Sequence, residues 1–78
     1  MPNLIKQLQA KEGFSNAEAT IADYLLANFR TLPSMSTRQL AQVTYSSSAA
    51  IVRFCQKLGF GGYTEFRVKF LAEMMRYI

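Results

Sequence analysis

The chain has 78 residues, half of them hydrophobic, which suffices for one packed domain and leaves no room for two cores. Its one cysteine, Cys55, closes no intrachain disulfide, and without histidine the usual metal-site spacings have no ligands, so we expect no metal or other cofactor and a reducing, cytoplasmic setting. Residues 1–35 balance three cations with three carboxylates, whereas residues 36–78 carry six against two; the whole net charge of +4 lies in the second half, where it suits a polyanionic partner.

Five helical segments are expected and no strand, because apolar residues seldom alternate at period two. The first runs from Pro2 to Ala10 and stops before Gly13, with proline at a position where its missing N–H does no harm. Leu4, Ile5 and Leu8 recur there at helical spacing, and no apolar run is long enough for a signal peptide or a membrane span. The second helix opens at Ser15 with a capping box, Ser15-Asn16-Ala17-Glu18. Its stripe of Ile21, Ala22, Leu25, Phe29 and Leu32 predicts continuation to Pro33, which ends it. A second box, Ser36-Thr37-Arg38-Gln39, opens the third helix, with Met35 packing on Leu40 as a hydrophobic staple and an end near Val43 or Thr44.

The fourth helix starts within Ser46–Ser48, whose hydroxyls cap free amides, and runs to Leu58; Gly59 is its left-handed terminator and Phe60 folds back on it. After a Gly61-Gly62 turn a fifth helix runs from Tyr63 to the end, with Glu65 in its first turn. Phe70, Leu71, Met74, Met75, Tyr77 and Ile78 are apolar to the last residue, so this helix is expected to lead into a further domain or to pair with a partner. The fold class is all-α: one five-helix domain over residues 1–78.

Helices three and four, three or four residues apart, have the spacing of a helix-turn-helix unit. Two steeply crossing helices need a small contact residue, and Ala41 supplies one. On helix four Ile51, Phe54, Cys55 and Leu58 share one arc, while Ala49, Arg53, Gln56 and Lys57 face away. The outward face is small at its start and basic further on, as a helix entering the major groove N-terminus first requires. The candidate DNA-binding set is Thr37, Arg38, Tyr45, Ser46, Ser47, Ser48, Ala49, Ala50, Arg53 and Lys57.

The segment LAQVTYSSSAAIVRFCQKLGFGGYTEFRVKF resembles the N-terminal helix-turn-helix domain of the RpiR family of bacterial transcription regulators. The resemblance lies in Leu40-Ala41, Ser47, Ile51-Val52-Arg53-Phe54, Leu58-Gly59-Phe60 and Gly62-Tyr63-Thr64-Glu65-Phe66, and extends back to Ser15-Asn16-Ala17-Glu18 and the Ile-Ala-Asp-Tyr-Leu-Leu that follows. It implies double-stranded DNA binding and control of genes of sugar or phosphosugar metabolism. It also implies a C-terminal sugar-isomerase-like domain, absent from this chain, through which a phosphosugar effector would act. There are two departures from the family pattern: Tyr45-Ser46-Ser47 stands where Gly-Val-Ser is frequent, and Ala50 where Thr is frequent. Because tyrosine tolerates a left-handed backbone poorly, the turn is expected to take another route, with Tyr45 itself facing a phosphate.

An enzyme is not expected, since five scattered carboxylates, one core cysteine and no histidine form no nucleophile–base pair. The alternative is a helical protein-interaction module without nucleic-acid binding, for which Tyr24, Leu26, Val68 and Met75 supply spare apolar surface. Steep salt dependence of duplex binding separates the two. One helix-turn-helix reads too few base pairs to select a genomic site, so a homodimer on an inverted-repeat operator is expected, built from Ile5, Leu26, Met75 and Ile78.

Overall fold

The computed structural model describes residues 4–77, excluding the side chain of Tyr77; the expected start of the first helix at Pro2, and Ile78, lie outside the described residues. Five α-helices and one 3-10 segment are found there: α1 (Leu4–Ala10), α2 (Asn16–Ala27), the 3-10 segment Phe29–Ser34, α3 (Thr37–Val43), α4 (Ser48–Lys57) and α5 (Tyr63–Tyr77). α1 packs on α2 and α5, the 3-10 segment on α2 and α5, α3 on α4, and α4 on α5.

Both capping boxes form. Ser15 N donates to Glu18 Oε1 at 2.8 Å while Glu18 N donates to Ser15 Oγ at 3.2 Å. At α3 the equivalent distances, Ser36 N to Gln39 Oε1 and Gln39 N to Ser36 Oγ, are 2.8 and 3.1 Å. At α1 the first two described amides are satisfied from the far end of the chain: Leu4 N and Ile5 N donate to Glu73 Oε1 at 2.9 and 3.3 Å. The carboxylate of α5 thereby does for α1 what a local cap does elsewhere.

The second helix does not run unbroken to Pro33. It stops at Ala27, where Asn28 leaves helical geometry (φ −128°, ψ 31°) and donates to Tyr24 O through both its backbone N–H and its side-chain amide. Downstream, Thr31 Oγ1 donates to Asn28 O at 2.9 Å and Ser34 Oγ to Thr31 O at 3.2 Å, a three-residue step that suits the 3-10 form. Pro33 has no N–H to give the Phe29 carbonyl, and an α-helix through it would lose that bond and clash. Leu32 is fully buried in the 3-10 segment, so it still falls among the core residues of the apolar stripe, and the stripe alone did not reveal the break.

The core is aromatic where α4 meets α5. Phe54 meets Phe14 edge-on at 5.4 Å and Phe66 at 6.4 Å; Phe66 meets Phe60 edge-on at 5.6 Å and stacks on Phe70 at 5.5 Å. Cys55 is buried beside them, and burial pushes its thiol up to about 12, as befits a small core side chain rather than a reactive one. α4 ends as expected. Leu58 is the cap, Gly59 takes φ +99°, Gly59 N donates to Gln56 O and Phe60 N to Cys55 O, both at 3.0 Å. This is a Schellman motif.

Candidate nucleic-acid interface

α3, the turn Thr44–Ser47 and α4 form the helix-turn-helix. Leu40 and Ala41 of α3 and Ile51, Phe54 and Cys55 of α4 are buried, so each helix gives its apolar arc to the core and leaves the opposite arc to solvent. Leu58, expected on the core arc, is half-buried and packs against the core.

The turn is fixed by hydrogen bonds that converge on the end of α3. Thr44 is buried, and its Oγ1 donates to Leu40 O at 2.7 Å and lies 2.8 Å from Ser46 Oγ. Ser46 N donates to Ala41 O at 2.8 Å and Tyr45 N to Gln42 O at 3.3 Å. The expectation that tyrosine would reroute this turn is overturned: Tyr45 itself occupies the left-handed region at φ +58°. The cost for a non-glycine residue is on the order of 1 kcal/mol, and four hydrogen bonds around it outweigh that cost. The consequence is outward projection, since Tyr45 is 93% exposed.

Ser47 caps α4, its Oγ accepting from Ala50 N at 3.1 Å. Ser47, Ser48 and Ala49 are exposed and Ala50 is half-buried, so the first turn of α4 presents short side chains and unpaired backbone amides to solvent. Arg53, one turn on, is exposed on the same strip as Ala49. On α3, Thr37 is half-buried and Arg38 exposed. Nine of the ten residues predicted from sequence thus occupy the start of α3, the turn and the first six residues of α4.

Lys57 is placed differently. It sits at the other end of α4, where its Nζ donates to Gly13 O at 2.6 Å and pairs with Glu18 Oε1 at 2.9 Å, 5.5 Å above the ring of Phe14. Glu18 is held below the usual carboxylate range, first by the Ser15 amide and then by Lys57. Lys57 ties the end of α4 to the start of α2.

Sequence reasoning missed two side chains that bear on this unit. Tyr63 Oη donates to Met35 O at 2.9 Å, and Arg67 Nη1 donates to the same oxygen at 3.1 Å and to Leu32 O at 3.4 Å. Met35 directly precedes the Ser36 cap of α3. Burial raises the Tyr63 phenol, with the nearby Arg67 guanidinium opposing the shift.

A family model described as the helix-turn-helix domain of the rpiR family matches residues 2–76. The chain belongs to that family. It is a DNA-binding helix-turn-helix domain of the regulator type. Among solved structures, the Vibrio vulnificus NanR protein complexed with ManNAc-6P matches with a TM-score of 0.86 at 32% identity. The match takes in 95% of this chain and 28% of the NanR chain, so the rpiR-family domain described here spans little more than a quarter of that relative. No helix among the described residues is long and apolar enough to cross a membrane.

Proposed function

We propose that this rpiR-family domain reads double-stranded DNA by inserting the first half of α4 into the major groove. The observation that carries the assignment is the exposed, short-chained start of α4, flanked by Tyr45 on one side and Arg53 on the other. Small residues let the helix backbone approach the base edges, and the free amides of its first turn, at the positive end of the helix dipole, favour phosphate. Arg53 reaches a guanine edge or a phosphate, Tyr45 and Ser46–Ser48 contact the backbone, and Thr37 and Arg38 brace the start of α3 against the neighbouring strand. Lys57, occupied by Glu18, is assigned a minor part.

The regulated genes belong to sugar or phosphosugar metabolism on this proposal, supported by a NanR relative that was solved with ManNAc-6P. The effector would act through a second domain outside this chain, and the regulator would work in the cytoplasm as a homodimer on an inverted repeat with half-sites about 10 bp apart or a multiple of it. Leu26 and the exposed Met75 remain suitable for the dimer contact, but Ile5, 3% exposed, belongs to the core and is withdrawn from it.

Selection of bound sites from random duplex DNA tests the assignment. An inverted repeat should emerge, with affinity that falls steeply as salt rises. Arg53→Ala should then weaken binding by about 1–3 kcal/mol and relax the preference at one position. Enrichment of no sequence, or an Arg53→Ala variant with unchanged affinity and preference, would refute the groove-insertion geometry.

A further inference from the structure

Arg67 belongs to the basic half of the chain, and a charge count alone would give it to phosphate. Its geometry says otherwise. Nη1 is directed at two main-chain carbonyls, Leu32 O and Met35 O, and the guanidinium carbon lies 5.3 Å from the centroid of the Tyr63 ring. Tyr63, 5% exposed, adds its own hydroxyl to Met35 O. Two donors from α5 therefore converge on one carbonyl of the segment that leads into α3.

The position of that carbonyl gives the contact its weight. Met35 is extended (φ −104°, ψ 122°) and immediately precedes the α3 cap, while α3 has only seven residues, too few to hold a helix without tertiary support. Its far end is fixed by the Thr44–Ser46 turn; its near end is fixed from α5. The same turn of α5 also carries Phe66, which meets Phe54 of α4 at 6.4 Å. Tyr63, Phe66 and Arg67, at spacings of three and four, thus grip the entrance of α3 on one side and the middle of α4 on the other.

We propose that Tyr63 and Arg67 are positioning residues for DNA binding: they clasp the Met35 carbonyl and so set the placement of α3, with Thr37 and Arg38, relative to α4. The proposal rests on the DNA-binding assignment above. It makes Arg67 a cation that acts through the protein's own backbone and not through phosphate. Such a residue changes affinity without changing the number of counterions released.

The test uses Arg67→Met, Arg67→Lys and Tyr63→Phe in this chain, with the duplex selected for the unaltered protein as probe. Binding is followed across a salt series, and amide hydrogen exchange of the free protein is followed at Gln39, the cap amide of α3, and at Phe70 in the core. Loss of a hydrogen bond should lower affinity roughly five- to tenfold in Arg67→Met. The slope of log affinity against log salt should stay unchanged, Gln39 should exchange faster and Phe70 should keep its protection. Arg67→Lys, which restores one donor, should recover part of the affinity, and Tyr63→Phe should reproduce the Gln39 effect. A slope reduced by about one charge with Gln39 protection intact would make Arg67 a phosphate contact and overturn the proposal. If Arg67→Met fails to fold, Tyr63→Phe decides alone: affinity and Gln39 exchange at the level of the unaltered protein overturn it. An unaltered protein that binds no duplex overturns the DNA assignment and the positioning role together. Binding matched by the variants, with unaltered Gln39 exchange, overturns the positioning role only.

Discussion

The ends of α3 and α4 are built on one plan with different residues. In each, the second residue past the cap donates to the carbonyl five back, Ser46 N to Ala41 O at 2.8 Å and Phe60 N to Cys55 O at 3.0 Å. The first residue past the cap donates three back, Tyr45 N to Gln42 O at 3.3 Å and Gly59 N to Gln56 O at 3.0 Å. Yet the left-handed position holds tyrosine at φ +58° in one and glycine at φ +99° in the other. The first angle lies in the narrow well that any L-residue can reach at a cost; the second lies beyond it, where glycine alone is at ease. The end of α4 is therefore stable by residue choice. The end of α3 is stable because Thr44 and Ser46 brace it, and the strain left at its tip falls on Tyr45, whose side chain is almost wholly exposed beside the start of α4.

The contrast can be broken most severely from the α3 side. Ala41→Leu should destabilise the fold by about 3 kcal/mol through overpacking, because Ala41 is buried and its carbonyl anchors the turn. Urea denaturation checks this, and full stability would mean that α3 and α4 do not press together at Ala41. Thr44→Val should cost about 2 kcal/mol, since it removes the hydroxyl that serves Leu40 O and Ser46 Oγ. If bracing holds Tyr45 left-handed, its backbone chemical shifts should leave that region in this variant while those of Gly59 stay put.

Gly59→Ala should cost about 1 kcal/mol, from backbone strain alone, because a methyl there meets nothing within 4 Å. Tyr45→Gly should have the opposite sign, raising stability by about 0.5 kcal/mol while lowering DNA affinity. A variant that gains stability and keeps its affinity would show that Tyr45 does no work at the interface. The smallest effect separates the two capping boxes. Glu18 has a lowered folded-state pKa, so its contribution is present above the ordinary glutamate range and is lost as pH falls through the folded value. Gln39 does not titrate. On acidification the exchange protection of the Glu18 amide should fall before that of Gln39.

The sequence was legible where the signal is local. Ser15 and Glu18, Ser36 and Gln39, and Gly59 with Phe60 mark helix ends through bonds made within a few residues, and all formed as read. The core arc of α4 followed from periodicity alone. What was not legible depends on partners far away in the chain. Lys57 points away from the α4 core arc like a solvated cation, and only the fold brings Glu18 to it. Ile5 reads as spare on so short a helix until α2 and α5 enclose it. Tyr45 was misjudged because propensity was weighed without the hydroxyls on either side of it. The Tyr63 and Arg67 contacts end on a main-chain carbonyl, a target that no side-chain pattern announces.

The bond from Glu73 to the amides of Leu4 and Ile5 joins positions 69 and 68 residues apart. The acceptor for these two amides sits on the third turn of α5, so it is in place only when α1 and α5 are folded against each other. Leu4, Ile5 and Leu8 are all buried in the folded domain, where both α2 and α5 pack on α1. α1 and α5 are thus tied together across nearly the whole described chain, and that long-range contact must overcome the entropy of joining two segments so far apart in sequence.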